Sequence, residues 1–135
     1  MAETQGLNHL GLSVFDLDET TDFFVEALGW DEIARDPSYP RTTVTDGKLR
    51  LTLWQIDRTL GGVPFDRRAN VGLHHLAIEV PTEAKLNELG EKLKVRAGVK
   101  IEFMPENLGD GPRRHMMLNE PGGLRIELIW PGSGN

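Results

Sequence analysis

The sequence predicts an α+β fold in which two paired β-α-β-β-β modules form a curled mixed sheet around a cavity. The first observation is a repeat, since His9–Val14 recurs as His75–Val80 and Leu49–Leu53 recurs as Leu124–Leu128. The second is that the same series of apolar and turn patterns lies between the two ends of each copy. The third is that one helix covers only one face of a sheet, so each module of about 55 residues needs a partner for its other face.

The first module covers about residues 7–56 and begins with a strand over His9–Val14, where apolar side chains alternate with small or polar ones. A helix follows, because Asp16 and Glu19 form a capping box and Gly29 suits the position after the last turn. Its apolar face is predicted to comprise Leu17, Thr21, Phe24 and Leu28. Three further strands are predicted at Trp30–Arg35, Arg41–Thr45 and Lys48–Ile56.

The second module covers about residues 72–130 and follows a linker at residues 57–71 that is rich in turn-forming residues. Its first strand is His75–Val80, and its helix is predicted to end at Gly98. The apolar face of that helix is predicted to comprise Leu86, Leu89, Leu93 and Ala97. Strands are predicted at Val99–Met104, Arg114–Leu118 and Leu124–Trp130. Residues 1–135 together are expected to form a single domain.

Composition narrows the classes of protein that fit the chain. A hydrophobic fraction of 39% is typical of a globular protein with its own core. The absence of cysteine excludes disulfides, thiolate metal sites and a cysteine nucleophile, and it suits a reducing cytoplasm. The net charge of -6 argues against a nucleic-acid or anionic membrane partner. The chain has no membrane-span pattern and its N-terminus has no signal-peptide pattern, so a cytoplasmic protein is expected.

Strand alternation places one set of polar residues on the sheet faces that the helices leave open. Leucine, isoleucine and valine at alternate positions must face the helices. This leaves His9 and His75 on the open faces of the first strands, and Thr52 and Glu127 on those of the last strands. Two imidazoles and one carboxylate suit a divalent cation that keeps positions for water or substrate. His9, His75 and Glu127 are therefore predicted to be metal ligands.

Further candidate residues share these open faces. His115 has the chemistry of a general acid or base near neutral pH, and Glu79 is a second candidate for that role. The residues predicted to contact a substrate are Arg113, Met117, Arg50, Trp54 and Thr52, with Arg41 and Arg125 as further groups able to bind an anion. His74 is predicted to pack toward the helix, because its parity is opposite to that of His75.

At these residues, the chain resembles the vicinal oxygen chelate superfamily, which includes glyoxalase I, fosfomycin-resistance enzymes, bleomycin-resistance proteins and type I extradiol dioxygenases. The stretches HLGLSV, DLDETTDFFVEALGW, HHLAIEV and NEPGGLRIELIW carry the resemblance, which extends from Leu7 to Trp130. It implies a glyoxalase-like fold with a metal held from the first and last strands of each half. The corresponding positions here are His9, Thr52, His75 and Glu127.

Two departures from the family pattern bear on the reaction. Thr52 stands where glyoxalase I has a fourth ligand, which argues against that activity. Met117 stands where the dioxygenases and fosfomycin-resistance enzymes commonly have a tyrosine. Lyase, isomerase and dioxygenase types of reaction therefore all stay open.

The resemblance and the residues together predict an enzyme that depends on a divalent metal such as Zn, Mn, Fe, Ni or Co. The metal would act as a Lewis acid on two neighbouring oxygens of a small, anionic substrate. The alternative is a metal-free protein that sequesters a drug or metabolite, as bleomycin-resistance proteins do. A homodimer is expected, in which the modules pair either within a chain or across two subunits.

Overall fold

The structure is a computed structural model that describes residues 1–133. Its first unit, Met1–Gly62, contains four strands and one α-helix. In chain order the elements are β1 (Leu10–Val14), α1 (Leu17–Asp22), β2 (Asp31–Asp36), β3 (Arg41–Thr45) and β4 (Arg50–Gln55). The strands form one mixed sheet in the order β1-β4-β3-β2. β1 runs parallel to β4, whereas the other neighbours are antiparallel.

The second unit begins at Val63 and repeats this arrangement. Its elements are β5 (Leu76–Glu79), α2 (Glu83–Lys94), β6 (Lys100–Asn107), β7 (Arg114–Asn119) and β8 (Arg125–Trp130). The strand order is β5-β8-β7-β6, again with a parallel pair, β5 and β8, at one edge. The predicted α+β class and the two β-α-β-β-β modules are therefore confirmed.

The first helix departs from the prediction at its C-terminal end. Its start is as expected, because the Asp16 carboxylate accepts the N–H of Glu19 at 2.9 Å. The α-helix ends at Asp22, and a π-helical turn follows over Phe23–Ala27. The wider turn allows two adjacent residues, Phe23 and Phe24, to be fully buried. A single amphipathic helix extending to Leu28 was therefore the wrong expectation.

The second helix is shorter than predicted. It spans Glu83–Lys94 and begins at a cap formed by the Thr82 side chain, so Ala97 lies beyond its end and is exposed. Gly90 takes a buried place on the helix face instead. A Cβ at Gly90 would lie 3.0 Å from Pro105 Cδ, so a larger residue here would have to displace the side chain of Pro105 slightly.

In each unit the helix covers one face of the sheet, and the side chains that point toward it form the core. Leu51 and Leu53 are fully buried in the first unit, and Met116 and Leu118 in the second. These positions follow the alternation that the sequence indicates. Each helix of residues 1–133 is too short or too polar to traverse a lipid bilayer.

Candidate functional site

The open face of the second sheet gathers several of the predicted site residues. β7 and β8 pair so that Met117 lies opposite Glu127 and His115 lies opposite Ile129. Opposite residues of an antiparallel ladder share a face, and so do residues two apart on one strand. His115, Met117 and Glu127 therefore project together from the face that α2 leaves open.

His115 and Glu127 form a hydrogen-bonded pair in a largely buried setting. His115 Nδ1 lies 2.7 Å from Glu127 Oε2, and the two side chains are 13% and 12% exposed. The ring of Phe103 packs against that of His115 at a centroid separation of 4.8 Å. Since a carboxylate only accepts hydrogen bonds, His115 donates its Nδ1–H, and Nε2 of the neutral ring keeps its lone pair. A carboxylate that fixes the tautomer of a histidine in this way is typical of a histidine that acts as a general base.

The other oxygen of Glu127 faces a second histidine. Glu127 Oε1 lies 3.8 Å from Nε2 of the partly exposed His75. This separation is too long for a hydrogen bond. Two atoms that each bind one divalent ion at about 2.1 Å are about 3.0 to 3.4 Å apart in octahedral or tetrahedral geometry. The two donor atoms therefore need only a small side-chain rotation to share an ion.

The position of His74 contradicts the prediction that it packs toward the helix. The residue precedes β5 and is exposed, and its Nδ1 lies 2.7 Å from His75 Nδ1 and 3.3 Å from Nη1 of Arg125. Because His74 is outside the strand, strand alternation does not govern where its ring points. Partial desolvation and the positive charge of Arg125 lower the pKa of His74, which favours its neutral ring.

The surrounding hydrogen bonds determine which nitrogen of His75 carries the proton. A guanidinium has only donors, so His74 Nδ1 accepts from Arg125. His75 Nδ1–H then donates to the same nitrogen, whose single lone pair is shared between the two donors, and Nε2 of a neutral His75 ring keeps its lone pair. His75 Nε2 and Glu127 Oε1 are thus two acceptors that face each other. A proton or a cation between them would make this arrangement favourable.

Arg125, predicted as an anion-binding group, is instead engaged by the carboxylate of Glu102. Its Nε lies 2.7 Å from Glu102 Oε2, and Arg125 is only 8% exposed. Hydrogen bonds from Arg125 lower the pKa of Glu102, and Asn119 donates to the same carboxylate. Glu102 lies two residues after Lys100. Lys100 pairs with Asn119 and Asn119 pairs with Arg125, so Glu102 and Arg125 share one face of the sheet.

Within residues 1–133, the His, Asp and Glu side chains form no group of three or more that could hold a metal ion. The second sheet nevertheless presents two donors of the kinds that bind a divalent metal. His75 offers a neutral nitrogen and Glu127 offers Oε1, while Glu127 Oε2 is oriented by the hydrogen bond from His115. A complete site would need at least one further ligand.

His9 occupies the equivalent position in the first unit. It is exposed, directly precedes β1, and directs Nδ1 to Asn8 Oδ1 at 2.7 Å. An amide oxygen only accepts, so His9 donates through Nδ1 and keeps a lone pair on Nε2. The first unit therefore presents a histidine nitrogen of the kind that a metal requires.

The open face of the first sheet carries Thr52 in the place of a carboxylate. Thr52 Oγ1 accepts the Nε1–H of Trp54 at 3.2 Å and donates to the carbonyl oxygen of Leu10 at 3.5 Å. Trp54 packs edge-to-face on Tyr39 at 5.0 Å, and the guanidinium of Arg41 lies 5.4 Å from the Trp54 ring centroid. The hydroxyl of Thr52 thus holds the aromatic side chain that covers this part of the sheet.

We expect Thr52→Ala to have a small effect on stability and none on metal binding. The change removes one moderate and one long hydrogen bond, so the free energy of unfolding should fall by about 1 kcal/mol. Chemical denaturation measures this loss, and calorimetric titration measures metal affinity. A folded variant that no longer binds metal would contradict this structural role of Thr52.

The remaining predicted residues differ in their access to a ligand. Glu79 at the end of β5, Arg50 at the start of β4 and Arg113 just before β7 are exposed. Met117 is only 5% exposed although it lies on the open face opposite Glu127. Little of the Met117 surface is therefore available to a substrate.

Comparisons with known proteins agree on one superfamily. Residues 6–128 match the family model described as Glyoxalase/Bleomycin resistance protein/Dioxygenase superfamily. A 2-epi-5-epi-valiolone epimerase from Actinomyces sp is 29% identical over 145 residues, which cover 91% of this chain and 78% of that protein. The structure of a glyoxylase/bleomycin resistance protein/dioxygenase domain from Frankia sp. is similar, at 25% identity and a TM-score of 0.81, covering 98% of this chain and 96% of that one. A fosfomycin resistance protein from Listeria monocytogenes shares the fold, at 22% identity and a TM-score of 0.73, covering 94% and 93%.

Proposed function

The chain belongs to the Glyoxalase/Bleomycin resistance protein/Dioxygenase superfamily, and on that premise we propose that it is a metal-dependent isomerase or epimerase. One observation carries the proposal. On the second sheet, Glu127 orients His115 as a base through one oxygen and faces the lone pair of His75 through the other. The Actinomyces relative supports this reaction class, because its name denotes an epimerase.

In this proposal, His75 Nε2 and Glu127 Oε1 hold the metal. His9, from the same chain or a second copy, is the third ligand that the sequence repeat suggests. When bound, the metal supplies Lewis-acid stabilisation of the negative charge that develops on a substrate oxygen. Imidazole and carboxylate donors suit Zn, Mn, Fe, Ni and Co, so this donor set leaves the metal open among them.

His115 is the group proposed to move a proton. Its Nε2 accepts the proton from a carbon next to a carbonyl, and the electron pair of the broken C–H bond passes to the carbonyl oxygen. The Glu127 carboxylate stabilises the imidazolium that forms, while the ring of Phe103 supports that of His115 from the side. Delivery of a proton to the opposite face of the same carbon, where the electron pair returns from the oxygen, inverts that centre, and release of the His115 proton to solvent restores the base.

Glu79 is the candidate for the opposite side of the substrate. It pairs with Ile129 in the β5–β8 ladder, and Ile129 pairs with His115 in the β7–β8 ladder. Glu79 and His115 therefore flank Ile129 on one face, with α-carbons about 10 Å apart by the usual strand spacing. A substrate placed over Ile129 would meet a titratable group on each side, as inversion of a carbon centre requires.

The substrate is proposed to be a small molecule with two neighbouring oxygens, such as a 2-keto acid or a 2-hydroxy ketone. A divalent metal with one carboxylate and two neutral imidazoles keeps a net charge of about +1, which favours an anionic chelate. The exposed guanidinium of Arg113, next to the strand that carries His115, would add a charge-assisted hydrogen bond to such an anion.

Metal titration of the protein and of two variants tests the proposal. Glu127→Gln keeps the side-chain volume but removes the charge, so divalent metal affinity should fall by more than about 100-fold. Glu91→Gln, on the exposed surface of α2, is the matched control and should bind metal as the wild type does. The metal-loaded wild type should also place deuterium from D2O on the reacting carbon of one of these substrates. Wild-type protein that binds no metal but captures a drug or metabolite would contradict the proposal and favour sequestration.

A homodimer is part of the proposal, because α1 and α2 each cover one face of their own sheet. Light scattering at micromolar concentration should give twice the chain mass of 15.1 kDa. Mixing His9→Ala and Glu127→Ala variants should restore metal sites if the ligands come from two subunits, whereas no recovery would assign them to one chain. A monomeric mass would contradict the dimer.

A further inference from the structure

We propose that Asn8 and His74 are positioning residues, which fix the tautomers of His9 and His75 and leave Nε2 of each ring free for a metal. The inference rests on the proposed function, in which those two histidines are ligands. It concerns Asn8 and His74, which directly precede the two proposed ligands. Neither residue belongs to the set of metal ligands that the sequence predicts.

The two modules make the same contact at the same position of the repeat. His9 and His75 each directly precede the first strand of their module. Each directs Nδ1 at the side chain of the residue before it, over 2.7 Å to Asn8 Oδ1 and 2.7 Å to His74 Nδ1. An amide and an imidazole are chemically different side chains. What the two modules share is therefore the hydrogen-bond acceptor rather than the residue type.

The direction of both hydrogen bonds follows from the partners. Asn8 presents its amide oxygen, which can only accept. His74 Nδ1 lies 3.3 Å from Arg125 Nη1, which can only donate, so that nitrogen of His74 is an acceptor as well. Arg125 is in turn held by the Glu102 carboxylate. Arg125 and His75 Nδ1–H thus both donate to His74 Nδ1 and share its single lone pair, with His75 as the shorter contact.

The tautomer of His75 decides what lies between its Nε2 and Glu127 Oε1. With its proton on Nε2, His75 would direct an N–H toward Glu127 Oε1 and occupy the space between the two donor atoms. With its proton on Nδ1, the ring presents a lone pair there. Partners of metal-binding histidines that fix the tautomer and orient the ring raise metal affinity, and their removal typically costs about 10- to 100-fold.

Imidazole ¹⁵N chemical shifts of the metal-free protein test the assignment without any metal. We expect both His9 and His75 to carry the proton on Nδ1. His74→Leu should abolish this preference at His75 and leave His9 unchanged, whereas Asn8→Leu should do the reverse. Each module thus serves as the control for the other, and because Asn8 and His74 are exposed, both variants are expected to fold.

Exchanging the two acceptors provides the rescue. His74→Asn gives the second module the acceptor side chain of the first, and Asn8→His gives the first module that of the second. Both should restore the Nδ1–H tautomer and bring Zn²⁺ or Mn²⁺ affinity close to that of the wild type, while the leucine variants bind about 10- to 100-fold more weakly. Melting curves by circular dichroism verify that the four variants are folded.

Three results separate the inference from the function on which it rests. A proton on Nε2 of His75, alone or together with one on Nδ1, in the metal-free wild type would overturn the inference whether or not the protein binds metal. Wild-type metal affinity in His74→Leu and Asn8→Leu, despite altered tautomers, would overturn it as well. The expected tautomers in a protein that binds no divalent metal would refute the proposed function while supporting the tautomer assignment.

Discussion

Replacing His115 with phenylalanine is expected to lower kcat by a factor of about 10² to 10⁴ at a metal concentration that keeps the site occupied despite the loss of the His115 hydrogen bond to Glu127. The phenyl ring can occupy the space beside Phe103, but it has no nitrogen to accept a proton from the substrate. Glu127 keeps Oε1 toward His75 and loses only the donor at Oε2. Deuterium incorporation from D2O and metal content, measured on the same preparation, check both parts of the expectation.

His115→Gln is the matched control for this experiment. A glutamine amide can still donate a hydrogen bond to Glu127, but it cannot act as a base. If His115 moves the proton, both variants should lose activity to a similar extent. If His115 only orients Glu127, the glutamine variant should retain most of the activity. Full activity in both variants would exclude His115 from catalysis and leave Glu79 as the remaining candidate.

The fold could be predicted from the sequence because the same pattern of apolar, polar and turn residues occurs in both modules. Each module needs alternating apolar residues to face its helix, and the pattern around His9 returns around His75. Alternation also placed His115 on the open face that carries Glu127, since β7 and β8 form a regular antiparallel ladder in this region. Where the backbone is regular, side-chain direction follows from position alone.

The remaining features depend on backbone irregularities that residue patterns do not encode. The π-helical turn that buries Phe23 beside Phe24 has the same apolar content as an ordinary helix. The irregularity of β6 pairs Phe103 with Met117 and lets its ring pack against His115, whereas unbroken alternation from Ile101 would direct Phe103 toward the helix. His74 precedes its strand, so only its hydrogen bonds to His75 and Arg125 determine where its ring lies.

The ion pair between Glu102 and Arg125 is expected to be the most important polar contact for the stability of the second unit. Arg125→Met keeps an unbranched apolar side chain but leaves the Glu102 carboxylate without its main partner. Because that carboxylate is partly exposed and stays hydrated, we expect the free energy of unfolding to fall by about 1.5 kcal/mol. Lys85→Met, which removes an exposed ion pair with Glu88 on α2, is the control and should cost less than about 0.5 kcal/mol. Urea denaturation at neutral pH measures both. Equal effects of the two substitutions would contradict the role assigned to Arg125.

The same ion pair predicts how stability depends on pH. Arg125 lowers the pKa of Glu102 below its ordinary value of 4.5. A carboxyl group with a lower pKa in the folded than in the unfolded state contributes stability that is complete above the unfolded value and is lost as pH falls through the folded one. The difference in unfolding free energy between wild type and Glu102→Gln should therefore be constant near neutral pH and shrink below about pH 4.5.

In the Arg125→Met background, the effect of Glu102→Gln should be much smaller, because the ionised carboxylate no longer has a guanidinium to stabilise it. A difference that persists unchanged in that background would assign the effect of Glu102 to Asn119 or Arg67 instead.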